Sequence, residues 1–168
     1  TTEALIAHLQ PQLAKIVPAN VAQVRIQLRH EHIEGASYHY THGLRKHQGA
    51  CQRIAHGHRS RIVITVDGLR DAALETTWAE TFRDIYLVTG QHITSDDGER
   101  LQLAYTAPEG LFELALPKSR CYLLGQHTDS TVEEIAEHIA AKVALKRPGQ
   151  RVEVRAFEGV MKGAIARR

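Results

Sequence analysis

His56, Gly57 and His58 stand at the head of a run, Arg59 to Val66, that alternates apolar and polar residues, and Cys51 lies five residues before them. Side chains two apart on a strand project to the same side, so the two imidazoles converge. The glycine between them permits close approach of backbone or ligand. Two imidazoles aimed at one point suit a zinc ion, and a third histidine would complete a site with an open fourth position. That open position separates a catalytic zinc from a structural one. The Cys51 thiol adds a proton carrier, and Arg45, Lys46 and Arg53 around it favour the thiolate. A third ligand has to come from a neighbouring strand. Tyr38 to His42 sets His39 and His42 on opposite faces, His47 follows in the loop, and periodicity leaves the three open.

The elements that would position these groups follow from the pattern of the chain. Tyr38 to His42 reads as a short strand, and Arg59 to Val66 as a second, closed by Asp67-Gly68. Thr77 and Glu80 have capping-box spacing, ahead of a helix with Trp78, Phe82 and Ile85 on one face. Leu101, Leu103 and Tyr105 alternate on one side of Pro108-Glu109-Gly110, and Phe112, Leu114 and Leu116 on the other, which predicts a hairpin. Ser130 and Glu133 cap a second helix whose apolar stripe is Val132, Ile135, Ile139 and Val143. Pro148-Gly149 ends that helix, a last strand runs to about Glu158, and the Arg167-Arg168 end is expected to fray.

A weak repeat is also present. Thr1 to Leu9 matches Thr131 to Ile139 as T-x-E-x-[LI]-x-x-H-[LI], and each copy leads to an alternating segment, Val24 to Leu28 and Val152 to Ala156. Residues 1–33 therefore read as the tail, helix plus strand, of a preceding repeat, with 34–168 as the second copy. The chain opens Thr1-Thr2-Glu3 without methionine and reads as a fragment or a trimmed product.

Composition narrows the function classes. A chain of 168 residues can bury a real core. A net charge of +2 is too small to argue for nucleic acid. No apolar run is long enough to span a membrane. Two cysteines are too few for a disulfide framework and fit a reducing cytoplasm.

Tyr38-His39-Tyr40-Thr41-His42-Gly43-Leu44, followed by Cys51 and His56-Gly57-His58, resembles the 6-pyruvoyltetrahydropterin synthase / 6-carboxytetrahydropterin synthase family. That family carries an aromatic-x-A-A-H-x-L strand, a cysteine and then H-G-H. Its T-x-E-N helix start is similar to Thr131-Val132-Glu133-Glu134, and its strand-end glutamate to Glu158. The resemblance implies an α+β tunnelling fold, an antiparallel sheet with helices packed on one face, assembling as a homo-oligomer through sheet edges. It implies zinc on His42, His56 and His58, Cys51 as catalytic thiol, Glu158 as anchor of a pterin ring, and Thr131 and Glu133 at the substrate. The implied substrate is dihydroneopterin triphosphate, and the expected type is the 6-carboxytetrahydropterin synthase of queuosine synthesis.

The departures matter as much. The family's Asp-His pair, which completes a proton relay with the cysteine, has no counterpart dipeptide here. Gln91-His92 and the run from Gln126 to Asp129 stand nearest, and His127 and Asp129 are the relay candidates. The M-V-x-D-F stretch is missing, and the hairpin from Leu101 to Leu116 looks like an insertion in its place. A rival reading is a degenerate half that binds zinc or pterin and partners an upstream copy. Plainer roles compete as well: Glu133 as a helix cap, Glu158 as a solvated strand end, Cys121 as core packing.

Overall fold

The computed structural model describes residues 2–28, 32–42, 57–107 and 110–168, with only the backbone of His42 and Ala107. Cys51 and His56 lie outside the described residues. The chain divides into two compact units, Thr1–His32 and Ile33–Arg168.

The first unit holds helix α1 (Thr2–Ile16), which carries Pro11 and has no buried residue. Val24, Ile26 and Leu28 alternate in exposure with their neighbours, as the sequence suggests, yet residues 21–28 form no strand. Alternation supplies a face, but a strand exists only where its backbone finds a ladder.

In the second unit β1 (Ser37–His42), β2 (Gly57–Val66) and β3 (Leu69–Arg70) precede α2 (Ala72–Thr81). Then come β4 (Arg83–Thr89), β5 (Ile93–Asp96), β6 (Arg100–Ala107), β7 (Gly110–Pro117) and β8 (Cys121–Gly125). Helix α3 (Val132–Lys146), β9 (Val152–Gly159) and β10 (Lys162–Arg167) complete it. The main sheet has the order β10-β9-β2-β1-β4-β8, with β3 paired to β2. It is antiparallel from β10 to β1 and parallel from β1 through β4 to β8.

The sheet buries one face under α2 and α3. Even-numbered residues of β2 and β9 (Ser60, Ile62, Ile64, Val152, Val154, Ala156) are buried on that face. Helix α3 covers them with Val132, Ile135, Ala136, Ile139, Ala140 and Val143. Each fully buried isoleucine of that stripe contributes about 1.5–3 kcal/mol. The chain reverses between β2 and β3 at Asp67-Gly68, where φ is 51° and 82°, both left-handed. Such a turn needs small or Asx residues and matches strand twist.

Two capping expectations are corrected. Helix α2 starts at Asp71, whose side chain accepts from Leu74 N, not at Thr77. Thr77 sits inside the helix, its hydroxyl donating to Ala73 O at 2.9 Å, a back-bond that imitates nothing at a terminus. Phe82 closes α2, so Ile85 belongs to β4. Helix α3 is capped by Thr131, which accepts from Glu134 N at 3.3 Å. Ser130 is buried one residue upstream, and the cap is Thr131, accepting from the backbone N–H of Glu134.

The C-terminus is paired instead of frayed: β10 runs beside β9, and Arg168 exchanges backbone bonds of 2.8 and 2.9 Å with Val152. The hairpin from Leu101 to Leu116 forms in the expected register, Leu101 opposite Leu116 and Tyr105 opposite Phe112. With β5 it makes a separate three-stranded sheet with its own cluster, Val88, Leu101, Leu103, Tyr105 and Leu116.

Candidate functional site

Strand direction brings the candidate residues to one end of the main sheet. β1, β4 and β8 run toward that end and finish at His42, Thr89 and Gly125. β2 leaves it at Gly57-His58, and β9 arrives at Glu158. Tyr40 pairs with His58 across β1 and β2, so His58 shares the phase of Tyr38 and Tyr40. His42 follows Tyr40 by two residues and stands in that same strand phase. His39 has the opposite phase, and its Nδ1 meets Asp84 Oδ1 at 2.7 Å. Asp84 takes φ of 52° at a bulge in β4, which presents its carboxylate there.

His58 is held from behind. Its Nδ1 lies 2.9 Å from the backbone carbonyl of Glu158 and donates to it, since a carbonyl only accepts. The lone pair then belongs to Nε2, a buried atom. A backbone carbonyl that fixes the tautomer this way is the usual support behind a metal-ligating histidine. The Tyr40 ring stands 5.8 Å from the His58 ring and 5.1 Å from Tyr38, stacked with it. Tyr38 donates to the carbonyl of Phe157, and burial pushes its phenol well above the usual range, with the Glu158 charge adding to the rise. Tyr38 is a neutral strut between β1 and β9.

Glu158 is the extra residue of a bulge. Phe157 opposes Gly163 and Gly159 opposes Lys162, which leaves Glu158 without a counterpart on β10. It keeps the inward phase of Val152, Val154 and Ala156, and its side chain is only 4% exposed. Lys162, four residues on across a turn with Met161 at φ 57°, reaches back to Glu158 Oε1 in an ion pair. Behind the bulge, Gly163 lies so close to β9 that a Cβ there would meet Ala156 O at 2.5 Å.

The strand that opens at Gly57-His58 and the strand that ends near Glu158 thus meet through the bond from His58 Nδ1 to the Glu158 carbonyl. The family model for 6-pyruvoyl tetrahydropterin synthase matches residues 32–168. The chain belongs to the 6-pyruvoyl tetrahydropterin synthase family. It is a family of lyases, and the curled sheet with helices on one face is its fold. The solved 6-pyruvoyltetrahydropterin synthase of Plasmodium vivax superposes with a TM-score of 0.56 at 16% identity, covering 79% of this chain and 91% of that one. A form of that enzyme with a catalytic glutamate changed to cysteine superposes equally well, TM-score 0.56 at 16% identity with the same coverage. The Plasmodium falciparum enzyme gives 0.52 at 14% identity over 79% of this chain and 91% of its own. No curated protein sequence matches the chain.

Within this synthase-family frame the other candidates fall less closely together. Cys51, His56 and the side chain of His42 lie outside the described residues. Among the described residues, no group of three or more His, Cys, Asp or Glu converges as a metal set. His58 is the described member of the expected trio, and its fixed Nε2 lone pair fits a ligand's role. His127 is exposed in the loop after β8, its Nδ1 3.1 Å from Gln91 Oε1. Asp129 is half-buried in that loop, with Oδ1 buried and lacking a hydrogen bond among the described residues. The loop is fastened to β4 by Thr89 Oγ1 on Thr128 O at 2.7 Å and Gln91 N on Gln126 O at 2.8 Å. β8, from which this loop leaves, is three strands from β2, roughly 14 Å at the usual spacing. His92 is buried and stacked 5.3 Å from Tyr105.

Thr131 caps α3 and Glu133 is exposed on its first turn. Residues that sequence reasoning passed over are Tyr40, Tyr38 and Lys162. The strand phase of Tyr38, Tyr40 and His42 was a signal for the first two. Lys162 had none, because its place depends on a bulge and an unforeseen strand.

Proposed function

We propose that this chain is a zinc-dependent pterin synthase or lyase acting on dihydroneopterin triphosphate, of the 6-carboxytetrahydropterin type that serves queuosine synthesis. The observation that carries the reading is the His58–Glu158 link. One hydrogen bond ties the His58 ring, through Nδ1, to the backbone of the residue whose buried carboxylate would hold the pterin ring while the opposite nitrogen, Nε2, faced the metal. His42, His56 and His58 would hold the ion; His42 is preferred over His39 because it shares the phase of His58. When bound, the zinc supplies Lewis-acid polarisation of the substrate's side-chain hydroxyls. Glu158 accepts two hydrogen bonds from the 2-amino group and ring N–H, fixing the ring so that proton transfer is local. Cys51, as thiolate, takes the carbon-bound proton, and Arg45, Lys46 and Arg53 favour that form. Assembly through the sheet edges, and a reducing cytoplasmic setting in keeping with the free thiol of Cys121, complete the proposal. The order of α1 and the alternating Val24 to Leu28 segment, similar to that of α3 and β9, supports reading residues 1–33 as the tail of a preceding repeat.

A second reading has a specific observation behind it. His127 and Asp129 stand in the loop after β8, three strands from β2; a relay that did not reach the site would leave a domain that binds zinc and pterin without turnover. The test is zinc analysis and single-turnover assay with dihydroneopterin triphosphate. One equivalent of zinc, lost in His58→Ala, together with triphosphate release, supports the enzyme. Zinc and pterin binding without product supports the binding half. Equal zinc content in His58→Ala and parent overturns both.

A further inference from the structure

We infer that Lys162 reads the 4-oxo group of the pterin and thereby fixes which way round the ring docks on Glu158. The inference rests on the anchoring role proposed for Glu158 and adds a residue to it. The ion pair between them joins an ammonium whose side chain is 71% exposed to a carboxylate whose side chain is 4% exposed. Its placement is built. The bulge leaves Glu158 unopposed, Met161 turns through a left-handed φ of 57°, and Gly163 permits the tight approach that brings Lys162 back over the carboxylate. Bulges re-aim side chains and are common beside sites.

The chemistry of the ligand edge matches. A pterin presents three groups in a row: the 2-amino donor, the N3–H donor and the O4 acceptor. A carboxylate satisfies the two donors and has nothing to offer O4. Lys162 pairs with Oε1. With N3–H on Oε1, O4 comes alongside that same oxygen, where the ammonium has further N–H groups to donate. The reversed ring would put O4 beside Oε2, away from Lys162. Only one docking direction therefore satisfies all three groups, and that direction determines where the substituent at C6 points.

The experiment compares pterin with 4-thiopterin, which keeps both donors but offers sulfur, a weak acceptor, in place of O4. Binding is titrated for the parent, Lys162→Met, Lys162→Arg and Glu158→Gln. The parent should prefer pterin. In Lys162→Met the pterin affinity should fall about tenfold or more and the preference over the thio compound should vanish, while Lys162→Arg restores both. Loss of pterin binding in Glu158→Gln with no change in Lys162→Met overturns the role of Lys162 and leaves the anchor standing. Tighter pterin binding in Lys162→Met also overturns it, since the lysine would then be a competitor for the carboxylate. Unchanged pterin binding in both Glu158→Gln and Lys162→Met removes the anchor itself, and this inference with it.

Discussion

Gly163→Ala tests whether the bulged end of β9 and β10 is as tightly built as the distances say. The added methyl would stand 2.5 Å from Ala156 O and 2.8 Å from Phe157 Cδ1, against the 3.4 Å or more of ordinary contact. The nearer atom is backbone in the middle of β9, so no rotamer relieves it, and β10 has to move outward by nearly 1 Å. A ladder bond of about 2.9 Å does not survive that displacement. Losing one or two such bonds at about 1 kcal/mol each, plus residual crowding, amounts to about 2–3 kcal/mol. For a chain of this size the melting temperature should fall by roughly 5–10 °C. Thermal unfolding measures this directly, and amide exchange localises it: Ala164 and Ala166 should lose protection while the α3 amides keep theirs. A melting temperature within about 1 °C of the parent, with Ala164 and Ala166 still protected, would refute the reasoning from close approach.

Four further outcomes are expected. Glu75 is buried and accepts from Ile64 N at 3.1 Å and from Arg70 Nε at 2.8 Å; Glu75→Ala should cost about 2–4 kcal/mol in urea unfolding, chiefly by orphaning the strand amide. Thr131→Ala removes the cap of α3 and should cost about 1 kcal/mol by the same measurement, with Thr131→Ser close to parent. Burial pushes the Cys121 thiol above its ordinary range, so alkylation of Cys51→Ala near pH 7.5 should be slow and should quicken as pH rises or on denaturation. Burial, reinforced by Lys142, holds His138 below its ordinary 6.5, while Tyr122 Oη lies 2.8 Å from its Nε2. The unfolded chain then binds the proton more readily, so stability should drop as pH falls below about 6.5, and His138→Gln should flatten that slope in pH-resolved urea titrations.

Much of the fold was legible because its signals were local. The β1 and β2 alternation, the Asp67-Gly68 turn, the β6–β7 register and the α3 stripe each depend on residues within one or two elements. The misreadings came where a local signal had two meanings. Thr77 and Glu80 have box spacing inside a helix, since hydroxyl back-bonding leaves the same letters. Val24 to Leu28 alternates like a strand with no ladder to join. The parallel pairing of β1, β4 and β8 is non-local and left no mark in the letters. At the site, the strand place of His58 and the strand-end place of Glu158 were readable, and the letters left His39, His42 and His47 open. The Lys162 contact was hidden because it depends on a bulge, which is a property of two strands together.

The bond between His58 and Glu158 spans 100 residues of sequence, and this has a consequence for the order of folding. The β6–β7 hairpin and the two helices close over short distances and can form early, whereas β2 waits for β9, the next-to-last strand made. Non-local pairing is the slow part of folding, because the loop-closure entropy is lost before the contact rewards it. The nitrogen of His58 thus receives its fixed tautomer, and the carboxylate its place, only in the closing steps. A chain still short of Glu158 carries His58 without the carbonyl that orients it. Capacity for ligand should therefore appear together with the last tertiary structure, making it a late clock for maturation of this domain.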